Sequence, residues 1–390
     1  MSNEWKTEEL GSLAIIHDSK RVPLSGAQRS QRQGEYRYYG AQGVIDYIDD
    51  YLFDGSYLLI AEDGENLRSR KQPIANFAHG KFWVNNHAHI ITIKEALADI
   101  YFISAWLNYA NISGYITGAA QPKLSQGNLK LIQIPLPSLP EQKRIAGILS
   151  AYDDLIENNL RRIKILEEMA QSLYREWFVH FRFPGHESTP MIDSPLGPIP
   201  EGWEVKKLKK VASVNSQSIR KNSAPERINY IDIKSVSTGS IDEVRPMTFE
   251  EAPSRARRIV KHGDIIWSTV RPNRRSFSLI MEPEENLIAS TGFAVLTAQD
   301  LPWSYLYQAT TTQDFTSYLV NHASGAAYPA VNASIFENAK LVMPSCDLLA
   351  KFNDVVEPLQ LKQHNLFNRN NNLRKTRDLI LPKLLSPSNV

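Results

Sequence analysis

The sequence predicts an α+β protein built twice in tandem. Each globular copy is followed by a long helix, and the two helices pair as an antiparallel coiled coil with pseudo-two-fold symmetry. Three observations predict this. Short motifs recur in one order at a separation of about 200 residues, the mark of an internal repeat. Each copy closes in a segment whose apolar residues step alternately by four and three, a helical seam. The remainder of each copy reads as short β-type runs between turns. The boundaries are 1–140 for the first globular part, 141–181 for its helix, 182–199 for a linker, 200–344 for the second globular part and 345–385 for the last helix. A length of 390 residues, with 42% hydrophobic and 22% charged side chains, suits two folded domains with connections.

The first globular part opens on Trp5-Lys6-Thr7-Glu8-Glu9-Leu10-Gly11-Ser12-Leu13-Ala14, which returns as Trp203-Glu204-Val205-Lys206-Lys207-Leu208-Lys209-Lys210-Val211-Ala212. Asp54-Gly55-Ser56-Tyr57 is echoed by His262-Gly263-Asp264-Ile265, Gly118-Ala119-Ala120-Gln121-Pro122 by Gly325-Ala326-Ala327-Tyr328-Pro329, and Ile134-Pro135-Leu136-Pro137 by Leu341-Val342-Met343-Pro344. Runs at 57–61, 89–93 and 131–134 are expected strands of the first copy. Those at 230–233, 264–268, 278–280 and 292–296 serve the second. Helices are expected near 96–107 and 303–318.

From Glu141 to Phe181 there is no proline and a single glycine, Gly147. Ile145, Leu149, Tyr152, Ile156, Asn159, Ile163, Leu166, Ala170, Leu173 and Trp177 form the seam, with Asn159 as the polar intruder. Such a helix is roughly 55–60 Å long at about 1.5 Å per residue. Pro140-Glu141 gives it a start and Pro184-Gly185 a stop. The same positions 207 residues on include Phe352, Val356, Leu359, Leu366, Leu373 and Ile380. Gln363, Asn370 and Arg377 interrupt this weaker seam, and Pro358 is expected to bend it. Two helices of one register, each following a copy, most simply pair with each other. Their pairing surface is expected at Leu149, Tyr152, Ile156, Ile163, Leu166 and Leu173 of the first and the six apolar positions just named in the second. The alternative is that each lies on its own domain.

Chemistry is absent by motif. No Gly-x-x-x-x-Gly-Lys-Ser/Thr occurs, so P-loop ATP hydrolysis is not expected. No His-Glu-x-x-His occurs, His180 and His186 lack further ligands nearby, and no metal site is expected. The Asn/Asp-Pro-Pro-aromatic signature of adenine methyltransferases is missing. No catalytic residue is assigned. A single cysteine, Cys346, excludes an internal disulfide and fits a reducing cytoplasm. No run of about 18 apolar residues is present to span a membrane, and the acidic, polar start is unlike a signal peptide.

The 44 basic and 42 acidic side chains leave a formal charge of +2, so any nucleic-acid contact must come from local clusters. Arg21, Arg29, Arg32 and Arg37 crowd the first copy, followed by Arg68, Arg70 and Lys71. The second copy carries Arg220 and Lys221, then Arg255, Arg257 and Arg258, then Arg271-Pro272-Asn273-Arg274-Arg275. Arginine suits phosphate contacts and forked reading of guanine edges. The candidate DNA-contacting set is Arg21, Arg37, Tyr39, Arg68, Arg70, Lys71, Arg220, Arg257, Arg258, Arg271, Arg274, Arg275 and Tyr328. Each also has a plain reading as a surface, turn or packing residue, and Glu282, Glu284 and Glu285 stand near enough in sequence to pair with the last arginines. The first helix holds seven acidic and six basic side chains from Glu141 to Phe181, which is no duplex-binding surface. A duplicated protein–protein scaffold would use the same copies and spacer without needing the arginines.

The arrangement resembles the specificity subunit of Type I restriction–modification systems. The resemblance covers nearly the whole chain. Its most specific signature is Ile134-Pro135-Leu136-Pro137-Ser138-Leu139-Pro140-Glu141-Gln142-Lys143-Arg144-Ile145 leading into the first helix. Leu379-Ile380-Leu381-Pro382-Lys383-Leu384-Leu385 fits the family's ending, and Trp203–Ala212 the start of a recognition domain. Pro344-Ser345-Cys346-Asp347 departs from the usual Glu-Gln at the second helix. The resemblance implies two target-recognition domains reading a split double-stranded DNA sequence and a helical spacer that fixes the unread gap. It also implies two methyltransferase subunits and motor-nuclease restriction subunits docked on the chain. S-adenosylmethionine, ATP and Mg are then expected in those partners and no cofactor in this chain.

Overall fold

The computed structural model describes residues 5–220, 222 and 224–386; Lys221 lies outside them. The chain forms two units, residues 1–158 with 370–390 and residues 159–369. The division crosses both long helices.

In the first unit, six strands lie in the order Ala14–Ile16, Ala88–Ile93, Phe53–Ala61, Ala75–Val84, Gln33–Gly40 and Gly43–Ile48. All neighbours are antiparallel except Gln33–Gly40 beside Ala75–Val84. Successive side chains of a strand face opposite ways. Leu58 and Ile60 therefore join Ile91 and Ile93 against Phe102, Ile103 and Leu107 of the helix Ile100–Tyr109, while Leu59 joins Phe53, Phe82, Val84 and Ile90 on the other face. Asp99 starts that helix by accepting from the N–H groups of Tyr101 and Phe102. Lys6–Glu9 pairs with Gln133–Leu136, so the first and last of the repeated motifs are the two strands of one ribbon. The second unit repeats this ribbon as Glu204–Lys207 with Lys340–Met343.

The second copy keeps the strand order but breaks the two longest strands. Its sheets run Ala212–Val214, Phe293–Ala298, Ile265–Ser268, Phe277–Leu279 and Arg245–Thr248, Arg227–Ile231, Leu287–Ser290, Ala256–Ile259. The second again holds one parallel pair, Arg227–Ile231 with Leu287–Ser290. Where the first copy sets Gly55 against Gly80, both at positive φ, the second has Gly263 at φ +83°, Glu282 at φ +43° and then Pro283. Paired glycines let a strand kink and continue, whereas proline removes a ladder donor and left-handed residues turn the chain out.

Three sequence expectations need adjustment. Leu131 belongs to the helix Gln126–Leu131, so the following strand starts at Gln133. The helix near 303–318 is two helices, Trp303–Thr310 and Gln313–Asn321, separated where Thr312 caps the second. Strands Gln33–Gly40, Gly43–Ile48 and Ala75–Val84 lie outside the expected runs, because Gly34, Gly40, Gly43 and Gly80 and many polar residues blur their alternation.

The first long helix spans Leu139–Tyr174 and passes into a π-helical turn at Arg175–Val179; the second spans Cys346–Leu384 and continues through Pro358. They run antiparallel in each unit. In the first, Asn370 Nδ2 donates to Ile156 O at 3.2 Å, Arg377 pairs with Asp153 at 2.6 Å, and Ile145 and Leu149 share a core with Ile380, Leu381 and Leu385. In the second, Tyr174, Trp177 and Phe178 set their rings 6.2, 6.0 and 4.9 Å from that of Phe352. Leu149, Ile156, Phe352, Val356 and Leu366 are buried; Tyr152, Ile163, Leu166, Leu173, Leu359, Leu373 and Ile380 are half-buried. Gln142 of the Glu-Gln pair is a latch, 1% exposed, accepting from Asp99 N and donating to Pro137 O. Its counterpart 207 residues on is the buried Leu349, and Ser345 supplies the cap there through its hydroxyl to Leu348 N. The second helix thus starts without Glu-Gln because packing and a serine cap replace the latch.

Gln360 is 3% exposed, and neither its Oε1 nor its Nε2 has a partner. A buried amide left unpaired costs about 1–3 kcal/mol. Gln360→Leu is expected to stabilise the second unit by about that amount, read as a higher denaturant midpoint at unchanged m. A lower midpoint would show that the amide is paired in solution.

Candidate nucleic-acid interface

The candidate arginines divide by what their side chains already touch. Arg21 lies inside a polar network. Its guanidinium bonds Glu62 Oε2 at 2.7 Å and Ala88 O at 2.9 Å and stands 3.4 Å from Asp18. Lys123 pairs with Glu62 at 3.3 Å. His89, 1% exposed, spans Asp18 Oδ2 at 2.6 Å and Leu124 O at 2.8 Å. Burial pushes the Asp18 carboxyl up, but the hydrogen bonds from His89 and the Ile90 N–H, with the charge of Arg21, outweigh it and hold the group below its ordinary value. Glu62 is likewise held low against its burial, by Arg21, His89 and Lys123. Asp18, Glu62 and His89 bring ligand atoms within 4.8 Å of one another, yet two cationic side chains and a backbone donor already neutralise the carboxylates. The network ties a strand to the chain at Lys123–Gln126. Arg21 is thus committed to partners within the domain.

Arg70 and Arg275 are half-buried and also engaged within their domains. Both have left-handed backbones, φ 51° and 54°, directly after a short helical turn. Arg70 donates to Leu107 O at 3.1 Å and to Ala110 O, at the end of the helix Ile100–Tyr109. Arg275 donates to Thr311 O at 2.8 Å, at the end of Trp303–Thr310, and also to Gln313 and Thr316. The two copies thus clasp a helix C-terminus with the same residue type, where carbonyls are left unpaired and a cation is favoured. Tyr39 is buried and packs edge-on to Phe82 at 5.5 Å, so its ring is core and not reading surface. Arg258 is half-buried, with one bond to Ser218 Oγ at 3.1 Å, and burial lowers its pKa. Arg257 lies over the Phe249 ring at 4.9 Å.

Other candidates face solvent. Arg37 and Lys71 are exposed, as is Arg220. The Tyr39 phenol beside Arg37 holds that guanidinium above its ordinary pKa. Arg68 is exposed and donates to Gly118 O at 2.7 Å and Ala119 O at 2.9 Å. Arg271 lies over Tyr328 at 4.5 Å and donates to Ala327 O at 3.2 Å; Tyr328 is 67% exposed. Arg274 is exposed. Among the described residues neither Arg271, Arg274 nor Arg275 forms an ion pair with Glu282, Glu284 or Glu285; Glu282 sits 3.6 Å from His364 instead. Lys81, outside the arginine clusters, is a further exposed cation, 4.6 Å over the Tyr51 ring. Its lone position after Gly80 gave no cluster to notice.

Among the described residues no helix is long and apolar enough to cross a membrane. Residues 2–168 match the model of the Type I restriction modification DNA specificity domain. A Type I restriction enzyme specificity subunit of Methanocaldococcus jannaschii is 29% identical over 70% of this chain and 64% of its own length. A putative type I specificity subunit of Haemophilus influenzae is 36% identical over 39% of this chain and 38% of its own. The chain therefore spans less than two thirds of the length of these relatives. The crystal structure of a Type-I restriction-modification system S subunit from M. genitalium superimposes with a TM-score of 0.65 at 16% identity, covering 99% of this chain and 97% of that one, which is a likeness of fold.

Proposed function

We propose that the chain is a member of the Type I restriction–modification specificity subunits that it resembles, and that it is the non-catalytic reader of a bipartite DNA sequence. Two recognition domains, 1–140 and 200–344, each take one half-site. The paired helices hold them apart and define the unread gap. Methyltransferase subunits dock on the chain and bring S-adenosylmethionine. Restriction subunits bring ATP-dependent translocation and cleavage. The assembly works in the cytoplasm, on the cell's own and invading DNA.

The observation that carries this reading is the repetition of one strand order, one ribbon and one arginine clasp in two domains whose polar surfaces differ. A reader of two unlike half-sites needs a common frame with divergent loops. Arg37, Lys71, Arg220, Arg257, Arg271, Arg274 and Tyr328 are the side chains we assign to the DNA surface, with Arg68 pinning a loop. Arg271, Arg274 and the stacked Tyr328 form the second-domain group.

The test compares the purified chain with the chain assembled with its methyltransferase subunits. The chain alone is expected to show no methyl transfer, nuclease or ATPase turnover, and the assembly to methylate duplex DNA and bind it with a steep salt dependence. Turnover that persists in the chain freed of every other subunit would contradict the non-catalytic assignment. An assembly without affinity for duplex DNA would contradict the reader.

A further inference from the structure

The strongest repeat in the sequence is also a repeat in geometry. Thr117 and Lys123 exchange backbone hydrogen bonds of 2.8 and 2.8 Å around Gly118–Pro122. Ser324 and Ala330 do the same at 3.0 and 2.8 Å around Gly325–Pro329. Gly64 N–H donates to Pro122 O at 3.1 Å, and Arg271 N–H, 207 positions later, donates to Pro329 O at 2.7 Å. Both donors have positive φ. Gly118 and Gly325 open the loops at φ +84° and +101°, and a Cβ on Gly118 would meet Gln121 O at 2.2 Å. An arginine pins each loop by its carbonyls, Arg68 in the first and Arg271 in the second.

These loops are exposed from Gly118 to Gln121 and from Gly325 to Tyr328. The N–H groups of Ala119, Ala120, Ala326 and Ala327 join none of the backbone hydrogen bonds found among the described residues. Neither loop carries a carboxylate. Arg68 and Arg271 form no ion pair with an acidic residue among those described. Packing does not explain an exposed element that keeps both sequence and closure while the surrounding surface diverges. Nor can the same element tell two different half-sites apart. What two half-sites share is the sugar–phosphate backbone. Free N–H groups beside a guanidinium are suited to a phosphate oxygen.

We infer that Gly118–Pro122 and Gly325–Pro329 are equivalent, sequence-independent phosphate clamps, one for each half-site. This rests on the DNA-reading function proposed above. It separates two jobs within each domain: the repeated loop sets the grip, and the divergent loops choose the bases.

The charge at the loop centre can be varied while the backbone groups that close and pin each loop are kept. Ala120 and Ala327 are equivalent exposed positions, so the variants are Ala120→Asp, Ala120→Lys, Ala327→Asp and Ala327→Lys. Each is assembled with the methyltransferase subunits, and affinity is measured on cognate and scrambled duplexes across a salt series. Aspartate is expected to weaken both duplexes by the same factor, about tenfold, and lysine to strengthen both and steepen the log–log salt slope by about one. An effect confined to the cognate duplex would overturn the inference in favour of base reading. Unchanged DNA affinity with weaker assembly would overturn it in favour of a methyltransferase-docking loop. Equal losses from aspartate and lysine would reduce the loop to a structural part. Variants indistinguishable from a wild-type assembly that binds DNA would overturn this inference alone, whereas a wild-type assembly that binds neither duplex would overturn the reading beneath it.

Discussion

Inserting one helical turn into each long helix, between Asn158 and Asn159 and between Arg369 and Asn370, is expected to change the unread gap of the target and leave both half-sites unchanged. These positions are where the chain divides into its two units, and they lie within the helices and outside either sheet domain. Four residues add about 6 Å of helix and turn it by about 400°, so the seam returns within about 40° of its place. At about 3.4 Å per base pair, the gap is expected to lengthen by one or two base pairs. Insertion in one helix alone leaves the two helices unequal, so the contacts of the first unit, Ile156 with Asn370 and Asp153 with Arg377, and those of the second, Tyr174, Trp177 and Phe178 with Phe352, can no longer all be kept in register. Buried polar groups at a seam commonly specify register, so the single insertion is expected to abolish methylation of the original target. Sequencing the methylated positions of host DNA reads both outcomes. An active double-insertion protein that keeps its gap and alters its half-sites would reverse the assignment of roles.

Asp18→Asn is expected to destabilise the first unit by about 3–5 kcal/mol, because removing one partner of a buried ion network leaves the others uncompensated. Asp18 accepts from His89, the Ile90 N–H and Gln126 and faces Arg21. Its folded pKa is depressed, so the stability it contributes is present above the unfolded value, about 3.9, and is lost as pH falls through the folded value. The wild type should therefore exceed the variant by the full amount near neutral pH, and the gap should begin to narrow in acid below pH ~4 and close only below the folded value. Denaturant titrations across that range decide it; a gap that stays constant would mean that the carboxylate charge plays no part. The network also holds Lys123 and Leu124, directly after the Gly118–Pro122 loop. Loss of DNA affinity is expected to accompany loss of stability. In the second copy the large Trp267 stands opposite the small Ala294, where the first has Ile60 opposite His89. The acid-sensitive network is thus a property of the first unit.

Periodicity made the frame of this protein legible. The Trp5 and Trp203 motifs and the Ile134 and Leu341 motifs recur because they are the same ribbon formed twice, and the seam from Ile145 to Trp177 declares itself because one face of the helix is kept apolar and turned away from solvent. The outer strands Gln33–Gly40 and Gly43–Ile48 escaped notice because exposed, glycine-interrupted strands lose the alternation that buried ones must keep. The arginines were harder still. Arg70 and Lys71 are neighbours in sequence, yet one clasps a helix end and the other meets solvent. Arg274 and Arg275 divide in the same way. A side chain's destination depends on which carbonyls the fold brings to it, and local charge density carries no information about that. Gln360 was invisible for a related reason: its neighbours place it off the heptad positions counted from Phe352, and only the helix pair reveals its burial.

The most direct measurement is a map of methylated adenines in the DNA of the host with this gene present and with it deleted. The account expects one split motif, two defined half-sites around a gap of fixed length, to be methylated when the gene is present and to lose methylation throughout the genome when it is absent. A methylation pattern indifferent to the gene, or one whose motif is continuous and ungapped, would contradict the claim that this chain is a two-domain reader with a helical spacer.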